Sequence, residues 1–378
     1  MRLNMRMNPG TRNSTLRITI LALILAVVAV GTGVLPAFSV GENIDPPCAE
    51  SLRWKDTDFD PHESSSPETV SNVILVMLDG VRWQEFLDTQ RINTPLFPFI
   101  RSTLSTGGHI FPNDRVSNPY KISLPAYQSI FAGAVQDCKD NECGRITTET
   151  FPERLVRELK LNPKKVATIA SWNGIACAVE STPKATFINA GDAPLFDGSM
   201  DGEHAANNRL QQNKKWQSRY YRSKGRLDEH TYRHAMTYLR RHRPNFLFIS
   251  FVDSDFYGHE YDYSAYQKAL RQYDGWLKEL TETLGAMGEY GKKTTLIVTT
   301  DHGRGATLQD WTDHGRDVPA AERTWMAMMG PGVTQPGVRE GVTITTALRA
   351  ATVAAVGGED FRAAFPKAAE PLPGVASK

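Results

Sequence analysis

Five short, mostly apolar runs constrain this chain more than any other feature: Val73–Leu78, Val166–Ala170, Phe246–Val252, Thr295–Thr300 and Thr324–Met329. Runs of that length and character suit strands covered on both faces, as in a parallel sheet. Amphipathic stretches lie between them, including Glu153–Leu161 and Tyr266–Leu284; in the second, Leu270, Tyr273, Leu277 and Leu280 recur at helical spacing. Strands alternating with helices predict an α/β fold, a mostly parallel central sheet with helices on both faces. The chain has 378 residues, 40% of them hydrophobic, which is enough for a sizeable core. No internal repeat is visible.

The flanks have a different texture. Arg2, Arg6, Arg12 and Arg17 precede an apolar run from Ile18 to Val40, and no acid occurs before Glu42. A basic flank before a long apolar stretch reads as a signal peptide or an N-terminal membrane anchor over residues 1–40. Ala37-Phe38-Ser39 has the small-x-small pattern of a cleavage site. The run's length, however, approaches the ~20 residues that span a bilayer, so cleaved and anchored forms both stay open. Either form is exported, periplasmic or extracellular, and the anchored one attaches to the inner membrane through residues 18–40. Residues 41–70 read as a linker, 71–365 as the folded catalytic domain and 366–378 as a tail. Within the domain, residues 178–245 break the rhythm and become basic between Lys214 and Arg243. A solvated helical face accounts for this. The alternative is a cap or insertion over the site, with cations that draw in an anionic substrate.

Charge and cysteines narrow the class. Lys plus Arg is 43 against 42 for Asp plus Glu, a net charge of +1, so nucleic-acid binding by a broadly basic domain is not expected. The four cysteines, Cys48, Cys138, Cys143 and Cys177, suit disulfides in an exported chain. Cys138 and Cys143 close a short polar loop and are the expected pair. Asp45-Pro46-Pro47 before Cys48 is unlike a lipid-attachment run.

Ligands in open α/β sheets bind at the carboxyl ends of the strands. Here the first run ends at Asp79, the third runs into Asp253 and Asp255, and the fourth ends at Asp301. Carboxylates that converge without cationic partners repel one another. A divalent ion removes that cost, and with His259 and His314 the mixed donor set suits zinc, with manganese as the alternative. Four motifs hold these residues. Leu78-Asp79-Gly80 closes a strand. Ser123-Leu124-Pro125-Ala126-Tyr127-Gln128-Ser129 lies within Asn118–Gly133. Asp255-Phe256-Tyr257-Gly258-His259 is D-x-x-G-H. Asp301-His302-Gly303 is D-H-G, repeated at Asp313-His314-Gly315. Ser123 is the candidate nucleophile, with Ser117 and Ser129 as neighbours; a plain helix N-cap with Pro125 in the first turn is its structural alternative. Asp253 competes with Asp255.

In this order, the four motifs resemble the alkaline phosphatase superfamily, and within it the type I phosphodiesterase/nucleotide pyrophosphatase branch. The resemblance runs from about Asn72 to Phe365 and includes Thr94-Pro95 before Gly107-Gly108. It implies a hydrolase of phosphate esters that uses two divalent metal ions and a phosphoseryl intermediate on Ser123. Asp79, Asp301, His302 and Ser123 match the ligands of one ion, and Asp255, His259 and His314 match those of the other. His314 follows His302 more closely than the last ligand does in many relatives. Arg145 or Asn141 matches the contact to the phosphoryl oxygens. The implied substrate is a small-molecule phosphate ester or a nucleotide. Sulfatases share the fold but need Arg where Tyr127 stands. An alkaline-type phosphomonoesterase is the alternative, then a sulfatase or a non-catalytic membrane-attached binding protein. Against the last, all seven expected positions are filled.

Overall fold

The computed structural model describes residues 48–52, 71–87, 95–191, 193, 225–331, 333, 336–347, 349–350 and 352–353. The expected leader or anchor, the tail, most of 192–224 and Thr94 lie outside the described residues. Among the described residues no helix is long and apolar enough to cross a membrane.

The five apolar runs form strands, each within one residue of the expected ends: β1 (Asn72–Leu78), β3 (Val166–Ala170), β5 (Phe246–Phe251), β6 (Thr294–Thr299) and β7 (Arg323–Met329). Four more join them: β2 (Gly108–Arg115), β4 (Phe187–Ala190), β8 (Gly337–Val338) and β9 (Thr343–Thr345). The sheet order is β4-β3-β5-β1-β6-β7-β2-β8, with β9 also on β2. The block β4-β3-β5-β1-β6 is parallel, and β7 runs antiparallel between β6 and β2. β2 carries Pro112, which cannot donate to a ladder. Its pairing with β7 shifts register between Phe111 and Asp114, at that proline.

Among the described residues nine helices follow in chain order: α1 (Trp83–Leu87), α2 (Pro98–Gly107), α3 (Ser123–Ala132), α4 (Phe151–Glu158), α5 (Ala176–Val179), α6 (Asp228–His242), α7 (Asp253–His259), α8 (Tyr263–Ala286) and α9 (Glu289–Lys292). They cover both faces of the sheet. On β1, Val73, Leu75 and Met77 join a core with Phe131 of α3 and Phe151 of α4. The alternate residues Ile74, Val76 and Leu78 join a second core with Tyr273 and Leu277 of α8. The two-residue period of a strand puts successive side chains on opposite faces, so an unbroken apolar run needs helices on both. Each such side chain contributes roughly 1.5–3 kcal/mol on full burial.

Two sequence expectations are corrected here. Residues 178–245 are not an insertion throughout: β4 is an edge strand of the sheet, and α6 packs on β3 and β5. The linker is docked at residues 48–52, where a 3-10 turn, Ala49–Leu52, is tied down by the Cys48–Cys177 disulfide. The second disulfide is the expected Cys138–Cys143.

The sheet also explains the placement of the acids. β1 lies between β5 and β6, with Leu78 opposite Phe251 and Met77 opposite Thr299. The three chains therefore leave the sheet side by side at the same level, each toward an acidic motif.

Candidate active site

Asp79 follows β1 directly, Asp301 follows β6, and α7 begins just after β5 and carries Asp255 and His259. In the first group, Asp79, Asp301 and His302 offer ligand atoms within 4.8 Å of one another, all buried. His302 Nε2 lies 3.5 Å from Asp79 Oδ1, 3.5 Å from Asp301 Oδ2 and 3.3 Å from Ser123 Oγ. The remaining atoms are occupied. Tyr127 Oη donates to Asp79 Oδ2 at 3.1 Å, and Gly80 N donates to Asp301 Oδ1 at 3.2 Å. His302 Nδ1 sits 2.9 Å from the Gly303 carbonyl; that contact assigns the proton to Nδ1 and leaves Nε2 as a lone pair. Asp79 Oδ1 and Asp301 Oδ2 are buried with no hydrogen-bond partner among the described residues. Buried polar atoms are nearly always satisfied. Two orphaned carboxylate oxygens aimed at one imidazole lone pair are a donor set for a divalent cation.

The second group is Asp255, His302 and His314, again within 4.8 Å. His259 adjoins it, with Nε2 3.3 Å from Asp255 Oδ2 and 3.0 Å from His314 Nε2. His314 Nδ1 is 2.9 Å from the Lys121 carbonyl, which turns Nε2 inward. The His302 and His314 rings stack at 3.9 Å between centroids. The sequence reading divided the ligands into two separate sets. The structure puts His302 at their junction, 4.0 Å from Asp255 Oδ1 as well.

Electrostatics separate the carboxylates. Burial pushes Asp79 well above its ordinary range, reinforced by Asp301 and Asp255. Burial, then Asp255, raises Asp301 to about 6. Burial also pushes Asp255 upward, but the Arg304 guanidinium and His259 outweigh it and hold the carboxyl well below the usual range. Burial lowers His302 to about 4 and His314 to about 3, so both imidazoles are neutral at neutral pH. Arg304 corrects the argument that the converging acids lack a cationic partner. It binds the Asp255 carboxylate and, at 2.9 Å, its carbonyl. The case for a metal therefore rests on Asp79 and Asp301. Arg304 also explains two motif glycines. A Cβ on Gly80 (φ +65°) would lie 2.7 Å from Asp255 Oδ1, and one on Gly258 2.6 Å from Arg304 Cζ.

Ser123 is the first residue of α3; Ile122 is the N-cap and makes no side-chain capping bond. The Ser123 hydroxyl therefore faces His302 instead of capping the helix. Ser129 Oγ donates to the Pro125 carbonyl at 2.8 Å, and Ser117 Oγ bonds Thr346 and Ala347, so neither neighbour points at the cluster. Asp253 is drawn to the backbone N–H of Asp228, and Asp313 is exposed. Asn141 Oδ1 accepts from Leu124 N at 2.9 Å, beside the nucleophile.

Arg145 is not brought to the site, which corrects that expectation. Its guanidinium donates to the Ala176 and Glu180 carbonyls, to Ser51 and to Glu50, and pins the 48–52 turn. Sequence reasoning missed Tyr127 and Arg304. Their one signal was position: Tyr127 is one helical turn beyond Ser123, and Arg304 directly follows D-H-G.

A family model described as the metalloenzyme superfamily matches residues 160–345. That span is similar to the metalloenzyme superfamily, and the chain has an alkaline phosphatase-like fold. The matched span holds Asp255, His259, Asp301, His302 and His314 but not Asp79 or Ser123. Solved structures share the fold. The phosphonate monoester hydrolase SpPMH from Silicibacter pomeroyi is 14% identical with a TM-score of 0.53, over 79% of this chain and 77% of that one. The lipoteichoic acid synthase LtaP from Listeria monocytogenes is 15% identical with a TM-score of 0.53, over 77% and 72%. A 2-O GAG sulfatase is 12% identical with a TM-score of 0.52, over 77% and 71%. At these identities the likeness is one of fold. No curated protein matches the sequence.

The titration order gives a testable pH dependence. A raised carboxyl must lose its proton before an ion can bind. Metal affinity should therefore fall as pH drops through about 6, where Asp301 protonates, while His302 and His314 compete only near 4 and 3. Calorimetric zinc titrations in two buffers of different ionisation enthalpy should show more protons released at low pH than at high. Proton release and affinity that stay flat from pH 5 to pH 8 would remove these carboxylates from the ligand set.

Proposed function

We propose that this protein is an exported, metal-dependent phosphoric ester hydrolase that favours diesters and works through a phosphoseryl intermediate. The observation that carries the preference is the group beside the nucleophile. A dianionic monoester is best held by a cation such as a bidentate Arg, but the cations near Ser123 are engaged elsewhere. Arg145 pins the N-terminal turn and Arg304 holds Asp255. Lys121 Nζ donates to the Val318 carbonyl at 3.1 Å. Asn141 remains, held on Leu124 N, and its NH2 makes no bond among the described residues. A neutral amide donor suits the single charge of a diester.

Asp79, Asp301, His302 and Ser123 would hold one ion, and Asp255, His259 and His314 the other, with zinc favoured and manganese the alternative by donor type. When bound, such ions supply Lewis acidity toward the phosphoryl oxygens and the leaving oxygen. The chain's own part is positional. Ser123 Oγ, held at the start of α3, forms a bond to phosphorus as the ester bond to the leaving oxygen breaks, and the serine proton ends on that oxygen, which departs as the alcohol. Water then cleaves the Ser–O–P ester and restores the hydroxyl. Asn141 donates to a non-bridging oxygen throughout. Tyr127, bound to Asp79, stands where a sulfatase needs Arg, which speaks against sulfate esters.

Export is supported by the basic-then-apolar N-terminus and by the two disulfides, which persist in oxidising compartments. Residues 18–40 would either be removed or attach the protein to the inner membrane.

The test compares bis-p-nitrophenyl phosphate, p-nitrophenyl phosphate and p-nitrophenyl sulfate with zinc or manganese present. The diester should show kcat/KM about tenfold or more above the monoester, equivalent to ~1.4 kcal/mol of transition-state preference. A monoester preference would make the protein a phosphomonoesterase on the same site, and sulfate turnover above both would overturn the phosphoric ester reading.

A further inference from the structure

Asp228, the first residue of α6, is fully buried. Four donors converge on its carboxylate. Ser171 Oγ reaches Oδ1 at 2.5 Å and Tyr273 Oη reaches Oδ2 at 2.6 Å. Val252 N lies 2.9 Å from Oδ1, and Asp253 N lies 2.8 Å from Oδ2. Val252 and Asp253 open α7, the helix that carries Asp255 and His259. Asp228 thus caps a helix from outside its own sequence. The cap is reciprocal, since Asp228 N donates to Asp253 Oδ1 at 3.3 Å. The contact also extends to the first ligand. Tyr273 Oη accepts from Ser254 N at 3.0 Å, and Ser254 Oγ donates to the Asp79 carbonyl at 2.6 Å.

The residue type follows from the donors. Two backbone N–H groups and two hydroxyls need an acceptor with two oxygens and no hydrogen of its own, which an ionised carboxylate supplies. Asparagine would turn an NH2 group against some of them. An unmet buried donor costs about 1–3 kcal/mol, and the resulting shift would fall on α7, one turn from Asp255.

We propose that Asp228 is a positioning residue that sets the second ligand group, by fixing α7 so that Asp255 and His259 face His314. The proposal rests on the reading of those three residues as metal ligands. Groups that orient metal ligands commonly change affinity by about 10–100-fold when lost.

The test titrates metal-stripped wild type, Asp228→Asn and Tyr273→Phe with zinc by calorimetry, with circular dichroism as the check of folding. Diester hydrolysis is then followed against zinc concentration. Wild type should bind two ions. In Asp228→Asn one ion should keep its affinity within about twofold while the other weakens about tenfold or more, and excess zinc should recover most of kcat. Tyr273→Phe should move the same ion in the same direction by less. A folded Asp228→Asn with the wild-type isotherm, or with both ions weakened equally, would overturn the proposal. So would an activity loss that zinc does not rescue. If Asp228→Asn does not fold, Tyr273→Phe decides by the same criteria. A wild-type protein that binds no zinc would instead sink the metal reading itself, before any variant is compared.

Discussion

Ser123→Ala is expected to lower kcat for bis-p-nitrophenyl phosphate by about 10³-fold or more, because it removes the atom that bonds to phosphorus. The fold should barely notice. Ser123 makes no capping bond and stands at the first helical position, where alanine is well tolerated. Among the described residues its one side-chain hydrogen bond is the 3.3 Å contact to His302 Nε2. Stability should therefore change by less than about 1 kcal/mol, so lost turnover cannot be blamed on unfolding. Neighbouring serines cannot substitute, since Ser129 and Ser117 are bonded to other partners. A loss of less than tenfold would mean that water attacks phosphorus directly and no phosphoseryl ester forms.

The sheet was legible because its strands are buried on both faces, and such strands announce themselves as unbroken apolar runs. β2 and β4 were not. β2 contains Pro112, and β4 is a four-residue edge strand inside a polar stretch. Neither carries a period that single-sequence reasoning can detect. The acids at the strand ends were legible for the same reason as the strands: the run stops, and Asp follows.

The residues that support those acids were hidden by their distance in sequence. Asp228 precedes Val252 by 24 positions, and only the parallel pairing of β3 with β5 brings Ser171, Asp228 and α7 together. Arg145 shows the opposite error. A cation in the loop after the nucleophile helix looks like a phosphate clamp, and nothing in the sequence reveals that the 48–52 turn folds back to claim it. Charge type can be read from a sequence; the partner a charge finds is set by the tertiary fold.

His302 and His259 should differ sharply when replaced by alanine, and that contrast tests the geometry of the ligand groups. His302 Nε2 faces Asp79 and Asp301 at 3.5 Å and Asp255 at 4.0 Å. Among the described residues His259 meets Asp255 and His314, and its side chain is half-exposed. His302→Ala removes the imidazole of the first ion's set, whose ring also stacks on His314, and leaves the orphaned oxygens of Asp79 and Asp301 facing one another. Bound zinc should fall below about half of wild type, and kcat should drop about 10⁴-fold, beyond the effect of losing one orienting group. His259→Ala should weaken one ion only, by about 10–100-fold in affinity, with activity recoverable at high zinc. Metal analysis of dialysed protein, paired with zinc-dependent kinetics, separates the two. Equal losses in both variants would mean that removing His302 does not disturb the second set through His314. Full activity in His302→Ala would take it out of the ligand set, and the first group would then have no imidazole facing Asp79 and Asp301.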